Sequence, residues 1–427
     1  LQSVDDLTQT FREAFYIAST GRPGPVLIDI PSDLSSAEMV FHYPDKISLP
    51  SYKPTYRGNA RQVKAAAQLI CEAKKPLIYA GGGIVTSHAC QELTSIAERM
   101  QIPVVTSLMG KGAMRCSNPL NLGPVGMHGS KYANMAVTEC DLLIAVGARF
   151  SDRVTGKVSE FAPHAKIIHI DIDPAEIDKN VGNSLGLAGD MKTILALLMR
   201  HEPNSALTDW WQQIEKWEDS YAYDYHQNRL TVPWAMHQVM QRTKGKPYAF
   251  VTDVGQHQMW AALHLRIEEP RTWLTSGGLG TMGFGLPAAM GAQLYYGKDR
   301  RVIHVAGDGG IKMTGNEFYT IARLNLPVVS LIVNNRSLGM IRQLQKVMYK
   351  ERYIACELDY PMDYVKYAEC FGIQAESVST QDEFAEALKK ALEDRDHPRV
   401  IVLNVWRSFV EPMIKGGARI DEFVEFK

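Results

Sequence analysis

The chain of 427 residues has no long hydrophobic run and no excess of either charge. No apolar stretch approaches the ~20 residues that a helix needs to cross a bilayer, and no secretory leader is predicted. Lys and Arg number 46 against 47 Asp and Glu, which gives a formal net charge of −1. Neither a nucleic-acid-binding face nor an acidic tail is therefore indicated.

The cysteines are few and scattered, and they never form a C-x-x-C pair. The six are Cys71, Cys90, Cys116, Cys140, Cys356 and Cys370. Isolated cysteines of this kind are typical of a reduced interior and not of a disulfide framework or a zinc site. We therefore expect a cytoplasmic protein.

Internal repeats and low-complexity segments are also absent, and a chain of this length is too long for one hydrophobic core. Short apolar stretches alternate with helical ones in two blocks, which predicts α/β domains with doubly wound parallel sheets. The predicted strands of the first block are PLIYAGGG (76–83), PVVTSL (103–108), DLLIAVG (141–147) and AKIIHIDID (165–173). Those of the second are AFVTDVG (249–255), WLTS (273–276), RVIHVAGDG (301–309), VVSLIVNN (328–335) and RVIVLNV (399–405).

The two blocks predict domains at residues 61–202 and 233–408. The intervening segments are interpreted as a proline-containing linker at 36–60, a helical connection at 203–232 and an exposed C-terminal arm at 409–427. Residues 1–35 predict one amphipathic helix and, in VLIDI (26–30), one buried strand. Since such a pair cannot bury a core, we interpret it as the remnant of a further domain; the alternative is that it decorates the next one.

Two short motifs flank one predicted crossover. GDG at 307–309 and NN at 334–335 each follow a buried strand, with a helix predicted at 316–324 between them. This is one βαβ unit, which is nearly always right-handed. Asp308 and Asn335 then lie at the carboxyl ends of strands ~4.8 Å apart, where ligands of open α/β sheets bind.

A carboxylate beside an amide oxygen suits Mg²⁺, which prefers hard oxygen ligands and often shares its shell with substrate phosphates. Gly307 and Gly309 allow backbone N–H groups to approach a diphosphate at a helix N-terminus. A tight turn with an Asx-capped loop is the alternative, and it is the better interpretation of GDG alone. The paired spacing favours a metal–diphosphate site.

Together with VGQHQMWAA (254–262) and LTSGGLGTMGFGLPAAMGA (274–292), these motifs resemble the acetohydroxyacid (acetolactate) synthase large subunits, a family of thiamine-diphosphate enzymes. FREAFYIASTGRPGPVLIDIPSD (11–33), GMHGS (126–130) and GARFSDRVTG (147–156) are also similar to that family, so the resemblance extends over essentially the whole chain. It implies decarboxylation of pyruvate and transfer of its two-carbon unit to a second 2-oxo acid. The product is 2-acetolactate or 2-aceto-2-hydroxybutyrate, in the first common step of branched-chain amino-acid biosynthesis.

The resemblance implies a thiamine diphosphate and Mg²⁺ site in the second domain. Mg²⁺ would be held by Asp308, Asn335 and the backbone carbonyl of Ser337. The Gly280 carbonyl would accept a hydrogen bond from the cofactor's 4′-amino group, and Met282 would wedge the cofactor into its folded conformation. Core filling is the alternative for Met282 and for Met340, which would pack near the thiazolium ring. The implied thiamine diphosphate set is Val254, Gly255, Gln256, His257, Gly280, Met282, Gly307, Asp308, Gly309, Asn335, Gly339 and Met340.

The resemblance also implies FAD in the first domain, where the flavin performs no net redox chemistry. Arg153 matches the family arginine that grips the acceptor carboxylate, a task that suits its planar set of donors. Surface ion pairing, worth ~0–1 kcal/mol per pair, is the alternative for Arg149 and Arg153. The implied FAD set is Gly81, Gly82, Gly83, Ser107, Leu108, Gly126, Met127, His128, Gly147, Arg149, Arg153, Asp171 and Asp190.

The sequence departs from the family at three places. The pyrimidine-binding domain, with the glutamate that protonates the cofactor's N1′, is matched only by residues 1–35. We therefore expect the isolated chain to be inactive and to need that domain from elsewhere. Ser151 replaces an acidic residue among the FAD contacts. Leu344 replaces a tryptophan that lines the acceptor pocket, which predicts a weak preference for 2-oxobutyrate.

Two alternatives remain open. A related flavin-binding carboligase or oxidase with another acceptor is favoured by Leu344 and Ser151, and a truncated, non-catalytic subunit would bind cofactors without turnover. The partners that the resemblance implies are pyruvate, a second 2-oxo acid, further copies of the chain in a homodimer or homotetramer, and a small regulatory subunit.

Overall fold

The computed structural model describes residues 1–182, 184–200, 207–358, 360 and 362–426. Two six-stranded parallel sheets with helices packed around them form its framework, which confirms the predicted α/β class. Of the helices in these ranges, none is both long enough and apolar enough to span a bilayer.

The first sheet has the strand order β3-β2-β1-β4-β5-β6. Its strands are β1 (Pro76–Ala80), β2 (Val104–Thr106), β3 (Asn121–Pro124), β4 (Leu142–Val146), β5 (Lys166–Asp171) and β6 (Leu185–Ala188). The helices before and around it are α1 (Leu7–Ser19), α2 (Ser32–Ser35), α3 (Ala60–Glu72), α4 (Gly82–Thr86), α5 (Cys90–Met100), α6 (Lys131–Glu139), α7 (Asp152–Thr155), α8 (Met191–Leu198) and α9 (Thr208–Ser220). Every residue of β1 and β4 is buried, as expected for central strands covered on both faces.

The second sheet has the order β11-β12-β10-β9-β7-β8. Its strands are β7 (Tyr248–Thr252), β8 (Trp273–Thr275), β9 (Arg301–Gly307), β10 (Val329–Asn334), β11 (Gln374–Val378) and β12 (Arg399–Asn404). Its helices are α10 (Val232–Thr243), α11 (Gln256–His264), α12 (Gly285–Tyr296), α13 (Asp308–Thr314), α14 (Phe318–Arg323), α15 (Gly339–Tyr349), α16 (Tyr364–Glu369) and α17 (Gln381–Glu393). Single-turn 3₁₀ helices lie at Val4–Asp6, Leu108–Gly110, Val158–Glu160 and Gly315–Glu317.

The strand order reverses direction between β1 and β4 in the first sheet and between β7 and β9 in the second. A crevice forms at such a point outside the carboxyl ends of the strands, and it is where open α/β sheets bind ligands. The predicted FAD and thiamine diphosphate residues follow these strands. The fold therefore positions both candidate sites at carboxyl edges.

The structure corrects the expected strand at 26–30. These residues form no strand and pair with none of the described strands, and Leu27 is 88% exposed. An apolar stretch alone does not make a strand, because the strand also needs a neighbour that accepts and donates its backbone hydrogen bonds. The helix predicted before it is present as α1.

The predicted exposed arm at 409–427 is wrong for its apolar residues. Val410, Met413, Ile414 and Ile420 are at most 1% exposed, and three of them join the core on one face of the first sheet. Within the helical connection expected at 203–232, α9 and the first residue of α10 are helical. Residues 221–230 between them form neither helix nor strand. Its first residues, 203–206, lie outside the described part of the chain.

Candidate functional site

The GDG and NN motifs meet at the carboxyl edge of the second sheet. β9 and β10 are adjacent and parallel, with Val333 in register with Gly307. Asp308 is the first residue of α13, which the sequence pattern did not predict, and Asn335 directly follows β10. The helix expected at 316–324 is present as a 3₁₀ turn followed by α14. The βαβ arrangement inferred from the motif spacing is therefore the one observed.

The Asp308 carboxylate is almost inaccessible, with 2% of the residue exposed. Its Oδ1 accepts the N–H of Gly309 at 2.9 Å, whereas its Oδ2 is buried with no hydrogen-bond partner among the described residues. Burial raises the pKa of Asp308 to about 6, against the lowering effect of backbone N–H groups from Arg336, Gly309 and Ser337. A buried carboxylate oxygen with no donor is costly, and a bound cation would remove that cost.

Asn335 presents its amide beside this carboxylate. Its Nδ2 donates to Gln256 Oε1 at 3.2 Å, and its Oδ1 accepts the N–H of Ser337 at 3.1 Å. The Ser337 hydroxyl donates to the Cys356 carbonyl at 2.9 Å, which fixes the turn after β10. The set contains one carboxylate, one amide oxygen and a nearby backbone carbonyl, a donor chemistry that fits Mg²⁺.

The turn carrying Met282 lies over the same edge. A Cβ placed on Gly309 would be 3.4 Å from the Met282 methyl, so the two motifs are in contact. Gly280 has a φ of 67°, in the left-handed region that favours glycine. The next turn of the chain is held by Asp253, whose buried carboxylate accepts the N–H of Gly283 at 3.0 Å and of Gly285 at 3.2 Å.

Sequence reasoning assigned no role to Asp253, although it lies within the predicted strand AFVTDVG (249–255). Around it lie His257 and His304, and burial lowers the pKa of each to about 4. His304 Nδ1 lies 3.3 Å from Ser330 Oγ. Both imidazoles are therefore neutral at physiological pH. The base of the crevice thus contains one carboxylate and two neutral histidines.

At the first sheet, the glycines after β1 pack against the turn after β4. The N–H of Gly81 donates to Val146 O at 2.9 Å, and the N–H of Gly83 donates to Gly147 O at 3.0 Å. A Cβ on Gly81 would lie 2.0 Å from the Gly147 carbonyl oxygen. The glycines are needed here because two backbone turns touch, which brings Gly81, Gly82, Gly83 and Gly147 to one crevice. Ser107 joins them, since its N–H donates to Ala80 O at 3.0 Å.

The turn at 126–128 lies against the start of α7. The N–H of Met127 donates to the Arg153 carbonyl at 2.7 Å. Burial lowers the pKa of His128 to about 4, and in the part of the chain that the structure describes its Nε2 has no hydrogen-bond partner. Arg149 and Arg153 are exposed, and neither guanidinium forms an ion pair with any residue in the described ranges. Surface ion pairing, the alternative reading of these arginines, is therefore not observed.

Asp171 and Asp190 lie farther along the same sheet edge. Asp171 ends β5 and is 6% exposed, and burial raises its pKa. Asp190 caps α8 by accepting the Thr193 N–H at 2.9 Å, a structural task that accounts for an acidic residue at this position. Ser151 has a similar local task, since its hydroxyl oxygen accepts the N–H of Arg153 at 3.3 Å and caps α7.

The two edges are joined directly. Trp273 Nε1, at the start of β8, donates to the Leu108 carbonyl at 3.2 Å. The C-terminal segment, defined here as residues 409–426, spans from the second sheet to the first, where the Ile414 N–H donates to Met127 O at 3.0 Å. Leu344 on α15 packs against the apolar cluster that contains Met413 and Ile414. Met340 and Leu344 thus share the helix that faces this segment.

Comparison with known proteins matches the chain to two thiamine pyrophosphate enzyme families. Residues 63–198 match the central domain, and residues 253–405 match the C-terminal TPP binding domain. A probable acetolactate synthase large subunit of Methanocaldococcus jannaschii is 42% identical and covers 100% of this chain and 74% of its own length.

Two further relatives have related names. An acetolactate synthase of Mycobacterium leprae is 42% identical over 98% of this chain and 69% of its own length. The acetolactate synthase isozyme 3 large subunit of Escherichia coli is 38% identical over 99% of this chain and 76% of its own length.

Proposed function

The chain belongs to the acetolactate synthase large subunits, a family of thiamine-diphosphate enzymes, and we propose that it forms acetolactate with Mg²⁺ and FAD as further cofactors. The observation that carries the metal assignment is the buried, unpartnered Oδ2 of Asp308 beside the amide of Asn335. Two hard oxygen donors at the carboxyl edge of a parallel sheet form a site that a magnesium diphosphate would complete.

Thiamine diphosphate, when bound, supplies the electron sink for cleaving and forming the carbon–carbon bonds. The residues around it have positioning tasks. Asp308, Asn335 and the Ser337 carbonyl hold Mg²⁺, and the first backbone N–H groups of α11, from Gly255 to His257, face the diphosphate. The remaining members of this set are Val254, Gln256, Gly280, Met282, Gly307, Gly309, Gly339 and Met340.

The two neutral histidines contribute no positive charge at the base of this crevice. Their pKa values of about 4 keep His257 and His304 uncharged at physiological pH. Attraction of the diphosphate would therefore come from Mg²⁺, from backbone N–H groups and from cations outside this pair, such as Lys312, whose charge acts on Asp308. This explains why removal of a single metal ligand should have a large effect on cofactor binding.

FAD is proposed for the carboxyl edge of the first sheet. The crevice between β1 and β4 has glycine turns on both sides. Near it, the Arg149 guanidinium, which forms no ion pair among the described residues, supplies donors, and His128 Nε2 supplies an acceptor, because the ring proton lies on the Nδ1 that faces the Pro412 carbonyl. Asp171 and Asp190 lie at the neighbouring strand end. A direct test is purification of the chain followed by titration with FAD, in which bound flavin gives a shifted absorbance band that pyruvate alone does not bleach. A protein that fails to bind added FAD would contradict this assignment.

Arg153 is proposed to hold the carboxylate of the acceptor 2-oxo acid. Its guanidinium is exposed and has no ion-pair partner among the described residues, so it is free to form a two-pronged contact with a carboxylate. Leu344 would shape the apolar part of the same pocket. Because the relatives are called large subunits, we also propose a small regulatory partner and self-association of the chain.

The experiment measures 2-acetolactate formed from pyruvate with thiamine diphosphate, Mg²⁺ and FAD present. Two preparations are compared: the chain itself, and the chain with a pyrimidine-binding domain of the family fused ahead of Leu1. The control is Asp308→Ala in each preparation. The proposal predicts acetolactate from the fused form at least, and its loss in the control. Absence of product from both preparations, or product that survives Asp308→Ala, would contradict it.

A further inference from the structure

Gln343 has a wholly buried side-chain amide at the centre of a hydrogen-bonded network. The family resemblance assigns no role to this residue. It lies on α15 and is 0% exposed. Its Nε2 donates to the Val410 carbonyl at 3.0 Å and to Met413 Sδ at 2.9 Å. Its Oε1 accepts the Val410 N–H at 2.9 Å and Gln256 Nε2 at 2.8 Å. Every donor and acceptor of this amide is therefore used.

This network extends from Gln343 to the proposed metal site. Gln256 Nε2 donates to Gln343 and to the Ser408 carbonyl at 3.0 Å, so its Oε1 must point away from both. That oxygen accepts Asn335 Nδ2 at 3.2 Å. A Cβ on Gly339 would lie 1.9 Å from the same oxygen. Only glycine at the start of α15 leaves room for this contact.

This contact and the Ser337 N–H together decide which way the Asn335 amide faces. An amide binds a metal ion through its oxygen and not through its NH₂ group. Because Gln256 offers only an acceptor to Asn335, Nδ2 must face Gln256, and Oδ1 then faces the turn at Ser337, whose N–H also acts on the Asp308 carboxylate. The orientation of Gln256 is in turn imposed by Gln343 and by the Ser408 carbonyl, both of which accept from its Nε2. The metal-binding orientation of Asn335 therefore depends on a residue that does not touch the metal site.

At its other end, the network reaches the C-terminal segment. Val410 exchanges two backbone hydrogen bonds with the Gln343 side chain, and Met413 contacts its Nε2. Two residues from Val410, the Pro412 carbonyl lies 3.3 Å from His128 Nδ1, and the Ile414 N–H donates to Met127 O. One buried amide thus lies between the second sheet and the turn of the first sheet at 126–128.

We infer that Gln343 is a positioning residue, which orients the Asn335 amide for Mg²⁺ through Gln256 and holds the C-terminal segment in its docked position through Val410 and Met413. The two effects are coupled, because both use the same amide. The metal part rests on the proposed function, whereas the docking of the C-terminal segment does not. Residues that hold metal ligands in place typically affect metal affinity by about 10–100-fold.

The chain offers a matched control on the same helix. Gln345 also uses its amide twice, since Nε2 donates to the Ile354 carbonyl at 2.9 Å and Oε1 accepts the Ile354 N–H at 3.1 Å. These contacts lead to the turn after α15, which reaches the proposed metal site indirectly, through the Cys356 carbonyl that accepts the Ser337 hydroxyl, and they do not involve the C-terminal segment. Gln343→Met and Gln345→Met each replace a bridging amide with an apolar side chain of similar length. Comparison of the two variants separates loss of the hydrogen-bonded network from general destabilisation of α15.

The first measurement is the Mg²⁺ concentration that half-saturates thiamine diphosphate binding, obtained by calorimetry. We expect Gln343→Met to raise it about 10-fold or more and Gln345→Met to leave it within about 2-fold of the original protein. An unchanged value for Gln343→Met would overturn the inference. If the original protein itself shows no Mg²⁺-dependent binding, the proposed function fails, and the second measurement decides the inference.

That second measurement is amide hydrogen exchange in the cofactor-free chain, with the amides of β1 as an internal reference. Gln343→Met should speed exchange both at 335–338 and at 410–414, because the two ends share one amide. Gln345→Met should leave exchange at 410–414 unchanged. Acceleration at only one end, or at neither, would show that Gln343 does not couple them and would overturn the inference.

Discussion

The carboxylate of Asp253 accepts the backbone N–H of Gly283 at 3.0 Å, one residue beyond the methionine proposed as the cofactor wedge. It also accepts the N–H groups of Gly285 at 3.2 Å and Val254 at 2.6 Å. One buried side chain therefore ties the end of β7 to the turn that carries Met282. The position of Met282 depends on Asp253 and on the geometry of its hydrogen bonds.

Replacement of Asp253 by Ala should release that turn. Three backbone N–H groups would lose their acceptor, and each buried unpaired donor costs about 1–3 kcal/mol. We expect a lower melting temperature and thiamine diphosphate binding weakened by about 10-fold or more in calorimetry, roughly 1.4 kcal/mol. Asp299→Ala, at an exposed aspartate after α12, is the control. Unchanged binding in Asp253→Ala would show that the turn is held by other contacts.

Asp308→Asn should stabilise the cofactor-free protein at neutral pH. Burial raises the pKa of this carboxyl from 3.8 to about 6. The native state therefore holds the proton more tightly than the unfolded state, and stability falls as pH rises from about 4 to about 6. Above that range the charged form costs up to about 3 kcal/mol, and the amide removes this cost. Calorimetric melting at pH 7.5 and pH 4 should show a gain for the variant only at the higher pH.

His264 gives a second pH prediction of opposite sign. Burial lowers its pKa from 6.5 to about 3, and its Nδ1 lies 2.8 Å from the Tyr225 hydroxyl. The unfolded chain binds the proton below pH 6.5 while the native chain does not, so stability falls as pH drops from 6.5 towards 3. His264→Gln should reduce the loss of melting temperature between pH 7.5 and pH 5. His226→Gln, at an exposed histidine, should not; an equal loss in both variants would rule out His264 as a source.

The fourth prediction concerns Leu344 and the choice of acceptor 2-oxo acid, measured in the preparation that forms acetolactate. Leucine offers less apolar contact than tryptophan to the extra methyl of 2-oxobutyrate, and one such contact is worth ~1–3 kcal/mol. The main product should therefore be 2-acetolactate when pyruvate and 2-oxobutyrate compete, and Leu344→Trp should shift the ratio towards 2-aceto-2-hydroxybutyrate. Equal product ratios would mean that Leu344 does not line the acceptor pocket.

The sequence predicted the two parallel sheets and the meeting of Asp308 with Asn335, because strand burial and crossover length are local properties of the chain. It did not predict the roles of Asp253 and Gln343. Their partners lie 30 to 87 residues away, and no periodic pattern signals a buried side-chain network. The buried C-terminal segment was missed for the same reason, since its apolar residues are spaced irregularly and pack on a distant sheet.

VLIDI at 26–30 illustrates the converse failure. Its composition is that of a buried strand, yet the residues form no strand and are mostly exposed, because none of the described strands pairs with them. Composition predicts the propensity to form a strand, whereas the hydrogen-bonding partner decides whether one forms. In contrast, the prediction for β9 and β10 is confirmed, because a short crossover connects these strands and they pair with each other.

The most direct test of the whole account is calorimetric titration of the protein with thiamine diphosphate at pH 7.5, with and without Mg²⁺, in the original chain and in Asp308→Asn. The account predicts binding that requires Mg²⁺ in the original chain and is abolished in the variant, even though the variant alone is the more stable protein. Mg²⁺-dependent binding of equal affinity in both proteins would contradict it, because Asp308 would then not be a ligand.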